Sequence, residues 1–459
     1  MITGVVNTKS FIPSGYRFDP DIHLSEGVQV RREIAALPYE ISNVGENAER
    51  VFYGNIFSRI FVKKPEFGVE YLAASDTVLT DLSTGRYLSI AQANRLSYLK
   101  IKKDWILVTC SGTLGNISYT NGNYLGKIAT HDLIRIVPND NKVKRGTLYA
   151  FLASKYGYHQ ITQSQFGGVV KHINDSQTMD IKVPVFPDDI QLKTDSLIKE
   201  SAELREKAQA ALNEAKLKLK NYISFPYEHQ NYKTGIVSSK DVWKSLQHRL
   251  DPPALMNDGV LAMKDVTSHM QHSTIGDINA IVRRPGIFKR NYVANGIPYI
   301  NGSEIFLNNP FRRCEHLSRT RTPFIDEMTL YEGQILITCA GSVGSVKMIT
   351  KEYEDKKAIG SQDIIRLISN DELYTREYLF TYLQMPFVYD YIQSMKYGSV
   401  IERIEPFHVE SIPVVTPTKE LSEEITLIIK RYMDYTYRAF IAEENAIQIV
   451  EEEIEKWNK

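Results

Sequence analysis

The amino-acid sequence predicts an α+β fold of two repeated globular domains, each followed by a long helix, with the two helices pairing as an antiparallel coiled coil. Three observations predict it. A strand-and-turn segment occurs twice, four further echoes keep its order at nearly the same offset, and an apolar stripe at helical spacing follows each copy. At 459 residues the chain has room for two to four domains of ordinary size. With 43% hydrophobic and 24% charged residues it can bury normal cores.

The segment Trp105-Ile-Leu-Val-Thr-Cys-Ser-Gly-Thr-Leu-Gly115 returns as Gln334-Ile-Leu-Ile-Thr-Cys-Ala-Gly-Ser-Val-Gly344, so that Thr338 stands 229 residues after Thr109. Arg17-Phe-Asp-Pro20 returns as Arg249-Leu-Asp-Pro252, and Ile56, Phe57 and Arg59 return as Ile287, Phe288 and Arg290. His131-Asp-Leu-Ile-Arg-Ile136 matches Gln362-Asp-Ile-Ile-Arg-Leu367, and Gly167-Gly-Val-Val-Lys-His-Ile173 matches Gly398-Ser-Val-Ile-Glu-Arg-Ile404. Five collinear matches identify a duplication.

Strands are expected at 106–108, 133–137 and 181–185, and again at 335–337, 364–368 and 412–415. These are β-branched runs bounded by Gly, Asn, Asp and Pro. One short helix is expected at 147–158 and one at 375–394, where apolar residues recur three and four apart. Each half then closes with a helix opened by proline. Ile190, Leu197, Leu204, Ala208, Ala211, Ala215 and Leu219 form the first stripe; Leu421, Ile425, Ile428, Tyr432, Ala439, Ala446, Val450, Ile454 and Trp457 form the second. Helices of roughly 30 and 40 residues run about 45–60 Å, more than a small domain needs for its own core. The expected outcome is a mutual pair, its alanines letting the backbones approach, with surplus surface left for partner subunits. The resulting plan is a first domain at 1–186, a helix at 187–222, a linker at 223–239 (with Pro226 and Gly235), a second domain at 240–416 and a helix at 417–459.

Charge and cysteine content narrow the function. Lys+Arg and Asp+Glu tie at 55, which argues against a non-specific nucleic-acid coat. The second helix nevertheless concentrates acid at Glu420, Glu423, Glu424, Glu443, Glu444, Glu451, Glu452, Glu453 and Glu455, leaving the two globular halves, taken together, net basic. Three scattered cysteines fit neither a disulfide framework nor a thiolate metal site. Cys110 and Cys339, at equivalent places on apolar runs, read as core residues. The start of the chain lacks the pattern of a signal peptide and no apolar run approaches about 18 residues, so a cytoplasmic protein without membrane contact is expected. Histidine spacing suits no metal and no phosphate-cradling Gly-x4-Gly-Lys loop occurs. Asp251-Pro-Pro-Ala254 resembles the amine-holding motif of amino-methyltransferases, but Ala254 stands where an aromatic must stack a flipped base, and its repeat partner Phe18-Asp-Pro-Asp21 lacks the motif. No catalytic residue is expected.

An Arg-x-Asp-Pro entry, a β-run into Ser/Ala-Gly-Thr/Ser-x-Gly, an apolar–Pro–apolar exit strand and a long helix, all occurring twice, resemble the specificity (S) subunits of type I restriction–modification systems. The resemblance runs from Arg17 to the last helix. The second copy departs mildly, with Ala340 and Ser342 where the first has Ser111 and Thr113. The resemblance implies two target-recognition domains, each reading half of a bipartite double-stranded DNA site, held apart by the helices as a ruler. A spacer of about 45–60 Å fits half-sites roughly one helical turn apart. It also implies two methyltransferase (M) subunits that use S-adenosylmethionine to methylate adenine, and restriction (R) nuclease–translocase subunits that use ATP and Mg, with no cofactor in this chain. A methyltransferase or nuclease with its own active site, and a helical adaptor that never touches bases, are the rival readings.

Within that frame the turn residues Thr109, Ser111 and Thr113, and Ser342 in the second copy, either offer hydroxyls and amides to phosphates or only shape a tight hairpin. Gln163, Ser164, Gln165 and Lys171 border the Gly167 turn, and Lys396, Tyr397, Ser399 and Arg403 border its copy. Both sets are polar but differ in side chain, as readers of two different half-sites would; the alternative is a solvated loop. Candidate backbone contacts are Lys100, Lys102, Lys103 and Lys127 in the first half, and Arg283, Arg284, Lys289, Arg290, Arg312, Arg313, Arg319 and Arg321 in the second.

Overall fold

A computed structural model describes residues 23–111, 114–163, 172–224, 236–244 and 248–458. They fall into two compact units, one of residues 1–206 with 438–459 and one of residues 207–437. The Arg17-Phe-Asp-Pro20 echo, the Gly167 turn and residues 225–235 of the expected linker lie outside the described residues.

In the first unit a helix α1 (Glu26–Ala35) precedes strands β1 (Ile41–Asn43) and β2 (Ala48–Phe52). A layer of short strands follows: β3 (Phe61–Val62), β4 (Gly68–Leu72) and β5 (Tyr87–Ser89), then helix α2 (Ile90–Arg95). Next come β6 (Ile106–Thr109), β7 (Ile117–Tyr119), β8 (Ile128–Ala129) and β9 (Leu133–Pro138). The central sheet is antiparallel in the order β2-β9-β6-β7, with Ile106 opposite both Tyr119 and Ile136. All four residues of β6 are buried, which explains why its sequence reads as an uninterrupted apolar run rather than an alternation. A second sheet, β3-β5-β4-β8, closes with a parallel pair that sets Tyr71 opposite Ile128.

Helices α3 (Arg145–Ala153) and α4 (Lys155–Gln163) cover the central sheet. A single helix is expected at 147–158; Ser154, with φ −67° and ψ 167° typical of extended backbone, divides it. Its hydroxyl donates to the Phe151 carbonyl, offering the backbone an alternative to helical bonding. Helix α5 (Asp175–Met179) and β10 (Lys182–Pro184) return the chain to β1, which pairs antiparallel with β10. The long helix α6 (Asp188–Ile223) follows. Its Ile198 and Ala202 share this unit's core with Ala446, Ile447, Val450 and Ile454 of the chain's last helix.

The second unit repeats this order. Helix α7 (Asp258–His269) leads to β11 (His272–Thr274) and β12 (Ala280–Arg283), then the long β13 (Tyr292–Ile300) and β14 (Glu315–Leu317). Strands β15 (Ile335–Thr338), β16 (Val346–Met348), β17 (Ile359–Gly360) and β18 (Ile364–Ser369) complete the sheets. The central order β12-β18-β15-β16 matches the first unit strand for strand, and β13 runs parallel to β17 as β4 does to β8. Helices α8 (Arg376–Leu383) and α9 (Pro386–Ser394) replace the one helix expected at 375–394. Pro386 lacks an amide to continue the helix and holds Met385 extended. Helix α10 (Pro406–Glu410) and β19 (Pro413–Val415), paired with β11, precede the final helix α11 (Lys419–Trp457).

Within this unit the two long helices run antiparallel: Glu214 pairs with Arg431 at 3.1 Å and Lys218, one turn on, with Glu424 at 2.9 Å. Ala208, Ala211, Ala215 and Leu219 are buried there with Ile425, Ile428, Ile429 and Tyr432. Both helices exceed three dozen residues or equal it, at 36 and 39. Among the described residues no helix is long and apolar enough to cross a membrane.

One packing device is repeated. A Cβ on Gly27 of α1 would meet the His159 carbonyl of α4 at 2.5 Å, and one on Gly259 of α7 would meet the Tyr391 amide of α9 at 2.1 Å. Neither neighbour is a flexible side-chain tip, so the helices must separate. Gly259→Ala is expected to cost about 1–3 kcal/mol despite its better helix propensity. A thermal or urea unfolding curve unchanged from the parent would contradict this.

Candidate nucleic-acid interface

Each central sheet ends in the same cluster of loops. In the first unit the β6–β7 hairpin closes through the Gly115 amide donating to the Thr109 carbonyl at 3.2 Å and the Asn116 amide to Thr109 Oγ1 at 3.0 Å. In the second, the Gly344 amide donates to the Thr338 carbonyl at 2.9 Å and the Ser345 amide to Thr338 Oγ1 at 3.1 Å. Gly115 and Gly344 take φ of +76° and +87°, where a side chain would be strained. Thr109 is thus buried and occupied in shaping the turn.

Beside each hairpin lies a second segment bridged to it. Ser111 bridges His172 and the Ile173 amide donates to the Cys110 carbonyl at 3.1 Å; Ala340 bridges Arg403 and the Ile404 amide donates to the Cys339 carbonyl at 3.0 Å. A third loop carries Asp132 in one unit and Asp363 in the other. Ser111 Oγ lies 3.2 Å from Asp132 Oδ1 and 2.9 Å from His172 Nδ1. Arg290 reaches Asp363 at 3.4 Å and donates through Nε to the Tyr299 hydroxyl at 2.8 Å. Its equivalent Arg59 donates to the Tyr71 hydroxyl at 2.6 Å and to Thr130 Oγ1 at 3.3 Å.

A buried arginine holds that third loop in both units. Arg135 donates to the carbonyls of Leu133, Ala129 and Thr130 at 2.9–3.0 Å. Arg366 donates to those of Ile364, Gly360 and Ser361 at 2.7, 2.8 and 3.2 Å. Burial disfavours the charge and draws each guanidinium down to about 10, which still leaves both protonated at neutral pH. Fixed charge on a fixed loop presents Asp132 and Asp363 in one place.

The remaining sequence-derived residues divide. Arg284 joins the second cluster, 3.9 Å from Cys339 Sγ and 3.4 Å from Glu405. Tyr397 donates its hydroxyl to Glu405 at 2.9 Å, and its backbone exchanges hydrogen bonds with Arg403, making a hairpin whose tip carries exposed Ser399, Val400 and Ile401. Lys396 pairs with Glu402, and Ser342 is exposed on the β15–β16 turn. Asn291 donates to the Arg321 carbonyl at 3.4 Å, bringing exposed Arg319 and Arg321 close to Lys289 and Arg290. Arg312 and Arg313 lie before β14, at its other end, and Arg283 ends β12 on an exposed face.

In the first unit, Lys103 pairs with Glu206 at 3.0 Å, and Lys102 and Lys103 precede β6 whereas Ser111 follows it, so they occupy opposite ends of the strand. Lys127 pairs with Glu70 and Lys100 bridges Ile128 beside β8. Gln163 is buried at the end of α4. Thr113, Ser164, Gln165 and Lys171 lie outside the described residues. Arg59, Asp132 and Asp363 were not among the sequence-derived residues, though all three stand in the repeated segments that reveal the duplication.

Burial pushes the Cys110 thiol up to about 11 and raises that of Cys339, so neither is a thiolate nucleophile at neutral pH. Among the described residues no group of three or more His, Cys, Asp or Glu side chains could hold a metal ion.

A family model described as the type I restriction modification DNA specificity domain matches residues 63–227 and again residues 267–447, well over half of the chain. No curated protein matches. Among solved structures, the S subunit of a type I restriction–modification system from M. genitalium aligns over 90% of this chain and 96% of its own, at 12% identity and a TM-score of 0.38. The HsdS subunit from Thermoanaerobacter tengcongensis aligns over 91% and 97%, at 14% identity and a TM-score of 0.28. A chain from work on complex assembly and conformational transition of the type I R-M system aligns over 92% and 97%, at 12% identity and 0.28.

Proposed function

The chain belongs to the type I restriction–modification DNA specificity family, and from that premise we propose that each unit reads one half of a bipartite double-stranded DNA target. Membership in this family makes it a specificity component and not itself a catalyst. Its reading directs two methyltransferase subunits, which supply S-adenosylmethionine chemistry, and restriction subunits that use ATP and Mg. The cytoplasm, where DNA and these partners meet, is its place of action.

The observation that carries this reading is one loop cluster built twice on one scaffold with different side chains. Arg59 and Arg290, Tyr71 and Tyr299, Asp132 and Asp363, and Arg135 and Arg366 recur, whereas Ser111 and His172 give way to Ala340 and Arg403. A constant frame with variable tips is what two readers of different sequences require. The long helices, of 36 and 39 residues, are suited to set the separation of the half-sites.

Gel-shift titration of the complex with its methyltransferase partner tests the reading, using a duplex that carries the methylated motif and a scrambled one. Preference for the motif by at least about a thousandfold is expected. Equal affinity for both duplexes, or a chain that gathers protein partners without binding DNA, would contradict it. Replacing exposed Arg319 and Arg321 together by alanine is expected to weaken both duplexes alike and to lower the log–log salt slope by about 2. An unchanged slope would remove these two residues from the phosphate contacts.

A further inference from the structure

We propose that Ile56 and Ile287 are paired apolar base readers, each contacting the C5-methyl group of a thymine in its own half-site; this rests on the DNA reading above. A single exposed isoleucine is ordinary on a protein surface. Here the exposure is duplicated: Ile56 is 86% exposed and Ile287 73%, and the two are repeat partners. Their neighbours Phe57 and Phe288 are half-buried against the unit cores, so each loop turns one apolar side chain in and leaves the one before it out.

Both isoleucines belong to the loop cluster. Around Ile56, a Cβ on Gly54 would come within 3.1 Å of His131 Cβ, the Phe57 ring lies 5.8 Å from that of His131, and Arg59 reaches Thr130. Ile287 stands between Arg284, which reaches Cys339 and Glu405, and Arg290, which reaches Asp363. The Phe288 amide donates to Gln362 Oε1 at 3.2 Å. On the first loop the Ile60 amide donates to Gln92 Oε1 at 2.8 Å while Gln92 Nε2 donates to the Ser58 carbonyl.

Loops tied on both sides present a β-branched side chain with little freedom left to lose. The flanking Arg59 and Arg290 are held on Tyr71 and on Tyr299 and Asp363, and the isoleucine cannot hydrogen-bond, so the group it fits is apolar. In the major groove that group is the thymine methyl. Burying one methyl corresponds to about a fourfold change in affinity.

The test uses the assembled complex with its methyltransferase partner and duplexes of the methylated motif in which each thymine is replaced, one at a time, by deoxyuridine. One position in each half-site is expected to bind about fourfold more weakly. Ile287→Ala should erase that penalty in one half-site only, and Ile56→Ala in the other, while Ile→Val at either position keeps most of it. An unchanged deoxyuridine profile in both alanine variants overturns the proposal. So does loss of assembly with the methyltransferase in either alanine variant, which would make these residues protein contacts. Failure of the parent complex to prefer the motif over a scrambled duplex instead defeats the DNA reading itself, and is seen before any variant is made.

Discussion

Glu443→Leu is expected to lower the unfolding free energy of the first unit by about 3–5 kcal/mol. Glu443 is 2% exposed and accepts hydrogen bonds from Arg205 and from the Tyr149 hydroxyl. Burial works against the charge on Arg205, but Glu443 and nearby tyrosines outweigh it and raise its proton affinity above the ordinary value. A group whose folded pKa is raised contributes stability that is fully present below its unfolded pKa, so the effect should be flat from pH 6 to 9. Removing the carboxylate strands a guanidinium that the fold has largely withdrawn from water. The double variant Arg205→Leu, Glu443→Leu should recover much of the loss, because no lone charge then remains. Urea denaturation measures both; a single variant costing under about 1 kcal/mol, or a double variant no better than the single, would contradict this.

Arg366→Met should be comparably severe, at about 3–5 kcal/mol, because it orphans the carbonyls of Gly360, Ser361 and Ile364 together. Methionine fills much of the stem's volume, so the cost isolates the hydrogen bonds rather than a cavity. Burial has drawn the folded pKa to about 10, below the ordinary guanidinium value of the unfolded chain. The unfolded chain therefore holds more protons between those values, stability rises with pH only across that alkaline window, and parent and variant should run parallel from pH 6 to 9. DNA binding offers a second readout: Arg366→Met frees the Asp363 loop, and the half-site read by this unit should lose discrimination before the other does. Equal stability of variant and parent by urea denaturation would show that the carbonyls find other donors.

The duplication, the central strands and the two long helices were legible because each leaves a period or an offset in the sequence. Strands β6 and β15 announce themselves as apolar runs because both their faces are buried. What a single sequence hides is who meets whom. Arg135 and Arg366 interrupt apolar runs and look like solvent-facing charges, yet each turns inward to bind backbone carbonyls that have no sequence signature. Lys103 and Lys127 suggest phosphate contacts until Glu206 and Glu70, distant in sequence, are found beside them. The division of each covering helix into two depended on one residue apiece, Ser154 and Pro386, of which only the proline is a strong local signal.

Two related units, each reading its own stretch of DNA, can be tested most directly by replacing residues 240–416 with the matching domain of another family member and sequencing the methylome of cells that carry the hybrid with the partner methyltransferase. The methylated motif should change in one half and keep the other half unaltered. A motif changed in both halves, or in neither, would contradict separate reading by the two units.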